Sequence, residues 1–349
     1  MARQRVVVLF GGRSGEHEVS VTSARSVMAA LDRERWDVVP LTIGRSGKWL
    51  SPEESAEGVA ADLRAFNGGQ DFLRAKEALA ALSECDVVFP LVHGTYGEDG
   101  TLQGLLEMAG VAYAGPGVAA SAIGLDKAIM KALFREAGIP VTDYGVLREW
   151  EVAEGGEAVH RYVESTVGYP CFVKPANGGS SVGVTRAASR EDLGMAFQSA
   201  LQFDDKIVVE RAVVGREVEV SVLGNRDPQA SVVGEVVPDR EFYDYDSKYA
   251  ADSATRLEIP ADIPPAAAGR IRELAIRMYE VMGCEGYARV DFFLAPAGDV
   301  VANEVNTIPG FTSISMYPKL WEATGLGYSE LLTRILELGL ERHARRSRR

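Results

Sequence analysis

The chain has 349 residues, room for about two domains or three small ones. Fifty acidic against 37 basic residues give a formal net charge of −13, with five arginines crowded into the last eight positions, and a body that acidic repels a phosphate backbone, which excludes a nucleic-acid-coating role. A 46% hydrophobic, 25% charged composition excludes disorder, no apolar run reaches the roughly 18 residues of a membrane span, and Cys85, Cys171 and Cys284, far apart and without a C-x-x-C, exclude a disulfide framework or thiolate zinc site and fit core positions in a reducing, cytoplasmic setting.

Residues 5–10 (RVVVLF) are an unbroken apolar run ended by Gly11-Gly12. The run is too brief for a signal-peptide core and reads as a strand buried on both faces, as in parallel sheets. Residues 19–31 have helical spacing, 36–43 and 86–92 are two more strands, and 101–108 and 128–137 are helical. Alternating strands and helices predict an α/β unit that binds ligands at the carboxyl ends of its strands. Gly138-Ile139-Pro140 ends that pattern. Beyond it, strands are predicted at 169–174, 206–211, 217–223 and 230–237, and a helix at 190–201. Residues 238–260 have many tyrosines and charges and no clear period, and a structureless stretch that long is uncommon unless it is functional. A strong amphipathic helix at 265–282 precedes strands at 287–294 and 300–305, joined by a short turn. A last helix, 328–341, leads into a basic tail that is expected to be frayed, solvated and without a role.

The chemistry is clearest in the last hairpin. Glu304 and Asn306 are two apart and so share one face of a strand, and the turn brings Asp291 roughly opposite them. Two carboxylates and an amide without histidine are hard oxygen ligands, suited to Mg²⁺ or Mn²⁺ with substrate phosphates completing the sphere. The bland reading, a solvated polar face, is weakened by the apolar alternate positions Val290, Phe292, Val301 and Val305. Arg289 is out of place beside a cation unless anionic groups lie there too.

Lys174 ends a buried strand before a glycine-rich loop, 175–183, that carries Ser180 and Ser181. Successive backbone N–H groups in such a loop make an anion-binding concavity, and the lysine adds a point charge. This is no Walker A motif, since the lysine precedes the loop, and a plain hairpin turn stays open. Gly11 to Ser20 follows the first strand and opens a helix, a phosphate-loop position, yet Glu16 and Glu18 would repel phosphate. An acidic pair there fits an amine, or else a helix-capping cluster around Ser20. His93 follows the third strand in the same way and would meet Glu16 at one sheet edge; alone it reads as a structural histidine. Gly115-Pro-Gly117-Val-Ala-Ala120 matches a dinucleotide fingerprint but reads better as the start of a helix.

Together the segments GGRSGEHEVS, HGTYGEDGTLQG, GLDKAIMK, FVKPANGGSSVGV, FYDYDSKY, ARVDFF and NEVNTIPGFTSISMYP, running from residue 11 to 318, resemble the ATP-grasp superfamily and, within it, the D-alanine–D-alanine ligase family. The resemblance implies an α/β and α+β, three-domain ATP-grasp architecture: an N-terminal parallel α/β domain over 1–125, a central subdomain over 126–212, a C-terminal subdomain with the metal site over 213–341, and the tail over 342–349. It implies ATP as co-substrate between the second and third domains. Lys127 and Lys174 would contact its phosphates, Ser181 would belong to the loop closing over them, Glu210, Arg211 and Val213 to the adenine hinge, and Glu217 would hold the ribose. Lys248 would reach the transferring phosphate. Asp291, Glu304 and Asn306 would carry two Mg²⁺.

The reaction so implied is ligation of two D-alanines through a D-alanyl phosphate, supplying peptidoglycan precursors. Glu16 would hold the first amine, and His93 would lie near the first carboxylate. Arg289 and the Gly310 N–H would face the oxyanion, and Ser315 would receive the second carboxylate. Tyr249, Ser180 and Glu16 would form a hydrogen-bonded set closing the site. The intact Lys248-Tyr249 pair favours the dipeptide over a D-alanyl-D-lactate product, and the Ala176-Asn177-Gly178 segment departs from related loops. A homodimer is implied, with no nucleic-acid or membrane partner. A silent nucleotide-binding regulator on the same fold is disfavoured by the intact lysines, Arg289 and metal set.

Overall fold

The β-branched run that opens the chain becomes the middle strand of a parallel sheet. In this computed structural model, which describes residues 3–237 and 255–348, β1 (Gln4–Gly11) lies between β2 (Trp36–Ile43) and β3 (Val87–Pro90). Val6 to Phe10 have no solvent exposure, as a two-sided strand requires. Helices α1 (His17–Ala30), α2 (Pro52–Ala60), α3 (Lys76–Glu84), α4 (Thr101–Met108) and α5 (Val118–Leu125) complete this unit. Of these, α2, α3 and α5 lacked a predicted period. The first carries a local signal nonetheless: Ser51 and Glu54 cap each other's backbone reciprocally, and Pro52 sits in the first turn. Gly117 caps α5, so the G-x-G-x-x-A stretch does start a helix.

After α6 (Lys127–Glu136), a four-stranded antiparallel sheet forms in the order β4-β7-β5-β6. Its strands are β4 (Tyr144–Arg148), β5 (Cys171–Pro175), β6 (Thr185–Ala187) and β7 (Lys206–Arg211), packed with α7 (Glu149–Gly155), α8 (Glu157–Thr166) and α9 (Leu193–Leu201). Cys171 lies in that core, where burial pushes its thiol up to about 11, and Cys284 is also buried; Cys85 is only partly so.

The third sheet is antiparallel, in the order β10-β9-β8-β11-β12. It comprises β8 (Arg216–Gly224), β9 (Gln229–Val237), β10 (Arg256–Glu258), β11 (Gly286–Leu294) and β12 (Val300–Asn306), with α10 (Pro265–Val281), α11 (Met316–Thr324) and α12 (Tyr328–Arg346) around it. Part of the stretch expected to be structureless is thus strand, because Arg256–Glu258 pairs with the end of β9. The rest of it, with Lys248 and Tyr249, lies outside the described residues. Met130 and Phe134 of α6 pack into the core beneath this sheet, beside Val218, Ile271 and Met278. Phe89 of the parallel sheet meets Tyr287 and Phe311 of the third unit edge-on, at centroid distances of 6.1 and 5.4 Å. No helix among the described residues is long and apolar enough to cross a membrane.

The basic tail does not behave as expected. The last helix runs to Arg346, and Arg342 is 2% exposed. Its guanidinium donates to the carbonyls of Gly115 and Tyr113 and lies 4.1 Å from the centre of the Tyr113 ring. Arg345 pairs with Glu285, and Arg346 with Glu107. The physical cause is twofold: cations favour a helix C-terminus, and the carbonyls at 113 and 115 need buried donors. Gly339 permits the approach, since a Cβ there would come within 2.6 Å of the Tyr113 carbonyl oxygen. Arg342→Met should therefore lower stability by about 2–4 kcal/mol, from two buried carbonyls left unpaired. A lowered denaturant midpoint would show it, whereas Arg348→Ala, at an exposed position, should leave the midpoint unmoved.

Candidate active site

Loops at the carboxyl ends of β1 and β3, the glycine loop after β5, and one face of the β8-β11-β12 sheet border a common cleft of about 660 Å³. Strand register sets the chemistry of the sheet face. Asp291 on β11 pairs with Glu304 on β12 and with Glu219 on β8, so three carboxylates form a row across three strands. Arg289 is two residues from Asp291, on the same face, and opposite Asn306. The β11–β12 register shifts directly after Asp291, a bulge of the kind that re-aims side chains beside functional sites.

The Arg289 guanidinium donates to both carboxylate oxygens of Asp291, at 2.8 Å from Nε and 2.7 Å from Nη2. Nε is also 2.9 Å from Oε2 of Glu219. Burial opposes its charge, but the Asp291 and Glu219 carboxylates outweigh burial and hold Arg289 protonated, well above its ordinary value. Lys127, in the first turn of α6, stands 3.6 Å from Glu304 and donates to the Gly178 carbonyl at 2.5 Å. Asn306 accepts from the Ile308 N–H at 3.1 Å. Asp291, Glu304 and Asn306 therefore lie on paired strands as a hard-oxygen set that fits a divalent cation. Among the described residues, no three His, Cys, Asp or Glu side chains gather into a group that could hold a metal ion by themselves.

Beside this face lies a buried ion cluster. Lys174 of β5 is 2.8 Å from Glu210 of β7, and Lys131 of α6 is 3.3 Å from the same carboxylate. Lys131 is 1% exposed. Burial pushes Glu210 up, but the two ammonium groups prevail and hold it below the ordinary carboxylate range; burial likewise holds Lys131 below the ordinary lysine value. Among the other expected nucleotide contacts, Arg211 is exposed and paired with Asp143, Val213 is partly buried just beyond β7, and Glu217 lines the cleft.

Sequence reasoning missed two of these residues. Lys131 stands one helical turn after Lys127 in GLDKAIMK, the one signal available. Glu219 shares its strand face with Glu217, and its place opposite Asp291 exists only once β8 and β11 pair.

The glycine loop is held at its base through Asn177. The Asn177 backbone N–H and side-chain amide both donate to Asp204, at 2.7 and 2.8 Å, anchoring the loop at its base. At its tip, Ser180 and Ser181 adopt φ of 52° and 60°, in the left-handed region, and the Ser180 hydroxyl donates to Glu16. Glu16 itself opens α1. Ser20 does not cap that helix; its hydroxyl joins Gly11 of β1 to the Leu91 carbonyl. Across the cleft, a Cβ on Gly310 would come 2.8 Å from the Ser315 Oγ, and that hydroxyl also accepts from the Thr312 N–H at 3.0 Å.

His93 is 4% exposed and borders the cleft, with Nδ1 3.7 Å from Glu98. Burial disfavours its cation, yet Glu98, aided by Glu16, reverses the balance and raises its pKa. His17, in the same loop cluster, is lowered by burial; its Nδ1 bonds the Gly12 carbonyl and its Nε2 accepts from the Phe66 N–H. The two rings should titrate on opposite sides of 6.5 in proton–carbon NMR spectra. A raised value means that the stability from protonated His93 is complete below 6.5 and is lost as pH climbs through the folded-state value. His93→Gln should flatten that fall, and an unchanged slope would remove His93 as its source.

Comparison with known proteins identifies the family. The family signatures described as D-ala D-ala ligase N-terminus and D-ala D-ala ligase C-terminus match residues 5–116 and 133–337. The chain is 48% identical over 360 residues to the D-alanine–D-alanine ligase of Heliobacterium modesticaldum, covering 100% of this chain and 98% of that one. It is 45% identical over 358 residues to D-alanine–D-alanine ligase A of Escherichia coli, covering 99% and 98%. Among solved structures, the D-alanine–D-alanine ligase of Coxiella burnetii superposes with a TM-score of 0.83 at 34% identity, covering 100% of this chain and 97% of that one. The VanG D-Ala:D-Ser ligase of Enterococcus faecalis gives 0.82 at 34%, covering 97% and 100%. With three sheets in this order and full-length similarity at such identity, the chain has the ATP-grasp fold and belongs to the D-alanine–D-alanine ligase family.

Proposed function

We propose that the chain joins two D-alanines into D-alanyl-D-alanine with conversion of ATP to ADP and phosphate, supplying peptidoglycan precursors in the cytoplasm, as a homodimer of three-domain subunits bounded near residues 125, 212 and 341. The observation that carries the reading is the in-register Asp291–Glu304 pair, flanked by Arg289 and Asn306 and facing the loop that Lys127 touches. A carboxylate is a poor electrophile because its oxide is a hopeless leaving group. Attack of the first D-alanine's carboxylate oxygen on the γ-phosphorus expels ADP and gives D-alanyl phosphate. The second D-alanine's neutral amine then attacks the acyl carbon, the nitrogen gives up one proton to the phosphate oxygens, and phosphate departs as the C–O bond breaks.

The chain's part is to position and to stabilise charge. Lys127 and Lys174 hold phosphates, Ser181 lies in the loop over them, and Lys248 reaches the transferring group. Glu210, Arg211 and Val213 border the adenine, with the Glu210 carboxylate also fixing Lys174; Glu217 takes the ribose. Asp291, Glu304 and Asn306 would hold Mg²⁺, two ions, or Mn²⁺, which when bound supplies charge neutralisation of the terminal phosphates. Glu16 receives the first amine and His93 the first carboxylate, the raised pKa of His93 suiting it to an anion. Arg289 and the Gly310 N–H stabilise the tetrahedral oxyanion, and Ser315 binds the second carboxylate. Ser180 on Glu16, together with Tyr249, closes the site and excludes the water that would hydrolyse the acyl phosphate.

Phosphate release with D-alanine alone near pH 7 should show turnover, and adding D-lactate should yield no depsipeptide; absence of turnover with D-alanine alone would overturn the substrate assignment. Arg289→Ala should reduce kcat by about 10²–10³-fold, the range for losing an oxyanion donor, while nucleotide binding measured by calorimetry changes far less. Undiminished turnover in that variant would remove Arg289 from the mechanism.

A further inference from the structure

Asp291 meets two demands that conflict. As a cation ligand it must offer its oxygens to a divalent ion, yet both oxygens accept from Arg289. A guanidinium held bidentate on a ligating carboxylate repels the incoming ion. It also cannot simply swing away, because its side chain is only 19% exposed, and a shielded cation stripped of its counter-charge is strongly destabilised. The anion to which it can transfer is already beside it. Glu219 stands directly across from Asp291 on β8, 9% exposed, with Oε2 2.9 Å from the same Nε whose hydrogen is now directed at Asp291. Turning that one N–H from Asp291 to Glu219 releases Oδ1 of Asp291 for an ion, while Nη2 stays on Oδ2 and the guanidinium remains paired throughout.

We infer that Glu219 is a positioning residue that takes over Arg289 from Asp291 when a divalent cation binds, so that the ion site and the oxyanion-facing arginine are assembled in one movement. The inference rests on the reading of Asp291, Glu304 and Asn306 as metal ligands. Glu219 acts through Arg289, not on the ion. That distinguishes it from a fourth carboxylate ligand, whose influence would not depend on the arginine. The row of anions makes both roles conceivable at this position, so the test must separate them by removing the arginine.

The experiment is a double-mutant cycle read by Mn²⁺ binding, with free Mn²⁺ followed by electron paramagnetic resonance in the presence of ADP. The proteins are the unmodified chain, Glu219→Gln, Arg289→Met and the double variant. Glu219→Gln should weaken Mn²⁺ binding about tenfold while Arg289 is present, the scale of a lost partner behind a metal ligand. Arg289→Met should bind Mn²⁺ at least as tightly as the unmodified chain, and adding Glu219→Gln to it should change affinity less than about twofold, since nothing remains to be transferred. An equal loss in both backgrounds would assign Glu219 to the ion itself and overturn the proposal, as would no loss in either. If the unmodified chain bound Mn²⁺ no better than Asp291→Asn, the metal reading itself would fail. Should Glu219→Gln not fold, Glu219→Asp serves in its place, because it keeps the charge but withdraws it from Nε.

Discussion

The antiparallel register between β8, β11 and β12 is the constraint on which the rest of the site depends. Side chains alternate along a strand, so a slip of one residue would turn Arg289, Asp291, Glu304 and Asn306 into the core and push Val290, Val305 and Phe292 out to the cleft. The apolar set prevents the slip. Val290 and Phe292 pack under the sheet with Val218, Val220 and the helix α10, in a layer with almost no exposure. Burial of one face thus fixes the position of charged groups on the other, and the polar row needs no sequence device of its own to be aligned.

Holding so much charge near a partly dry sheet demands compensation at close range. Several anions in and beside the cleft wall have a cation on them: Arg289 on Asp291 and Glu219, Lys127 on Glu304, Lys131 and Lys174 on Glu210, Lys206 on Asp126. Such pairs are weak evidence for net stability, since desolvation offsets their attraction, but breaking one leaves a buried charge exposed to the full penalty. The arrangement favours a fixed geometry over a tight fold. It also means that lysines proposed to meet phosphate are oriented before any ligand arrives, which reduces the ordering that binding must accomplish.

How much of this was legible in the sequence follows from the range of each interaction. Runs such as residues 5–10 and the 287–305 hairpin are local, and their alternation or continuity announces which faces are buried. The hairpin even places Asp291 opposite Glu304, because a short turn fixes register. Glu219 and Lys131 were not legible as site residues. A lysine is ordinarily exposed, and only the packing of α6 against β7 sinks Lys131 onto Glu210. Arg342 misled for the same reason: in a run of arginines it looks solvated, until the helix lays it against the carbonyls of residues 113 and 115, more than two hundred positions away. Motif chemistry is read along the chain, whereas a buried charge is assigned by its partner, and partners are tertiary.

The glycine loop shows how anchoring and strain divide a short segment. Its base is pinned, since Asn177 spends both a backbone and a side-chain donor on Asp204 within the central sheet's own unit. Its tip holds two consecutive serines in a left-handed backbone that non-glycine residues adopt at a cost of about 1–3 kcal/mol each. A charge-assisted hydrogen bond from Ser180 to Glu16, about twice as strong as a neutral one, is available to offset that cost. The loop's conformation therefore depends on a residue of the N-terminal unit, and any group that competes for the Glu16 carboxylate acts on the loop as well. On the proposed reading, the amine of the first substrate is such a group. Ser180 donates to one oxygen of that carboxylate, so the loop and an ammonium arriving at Glu16 would share a single anion.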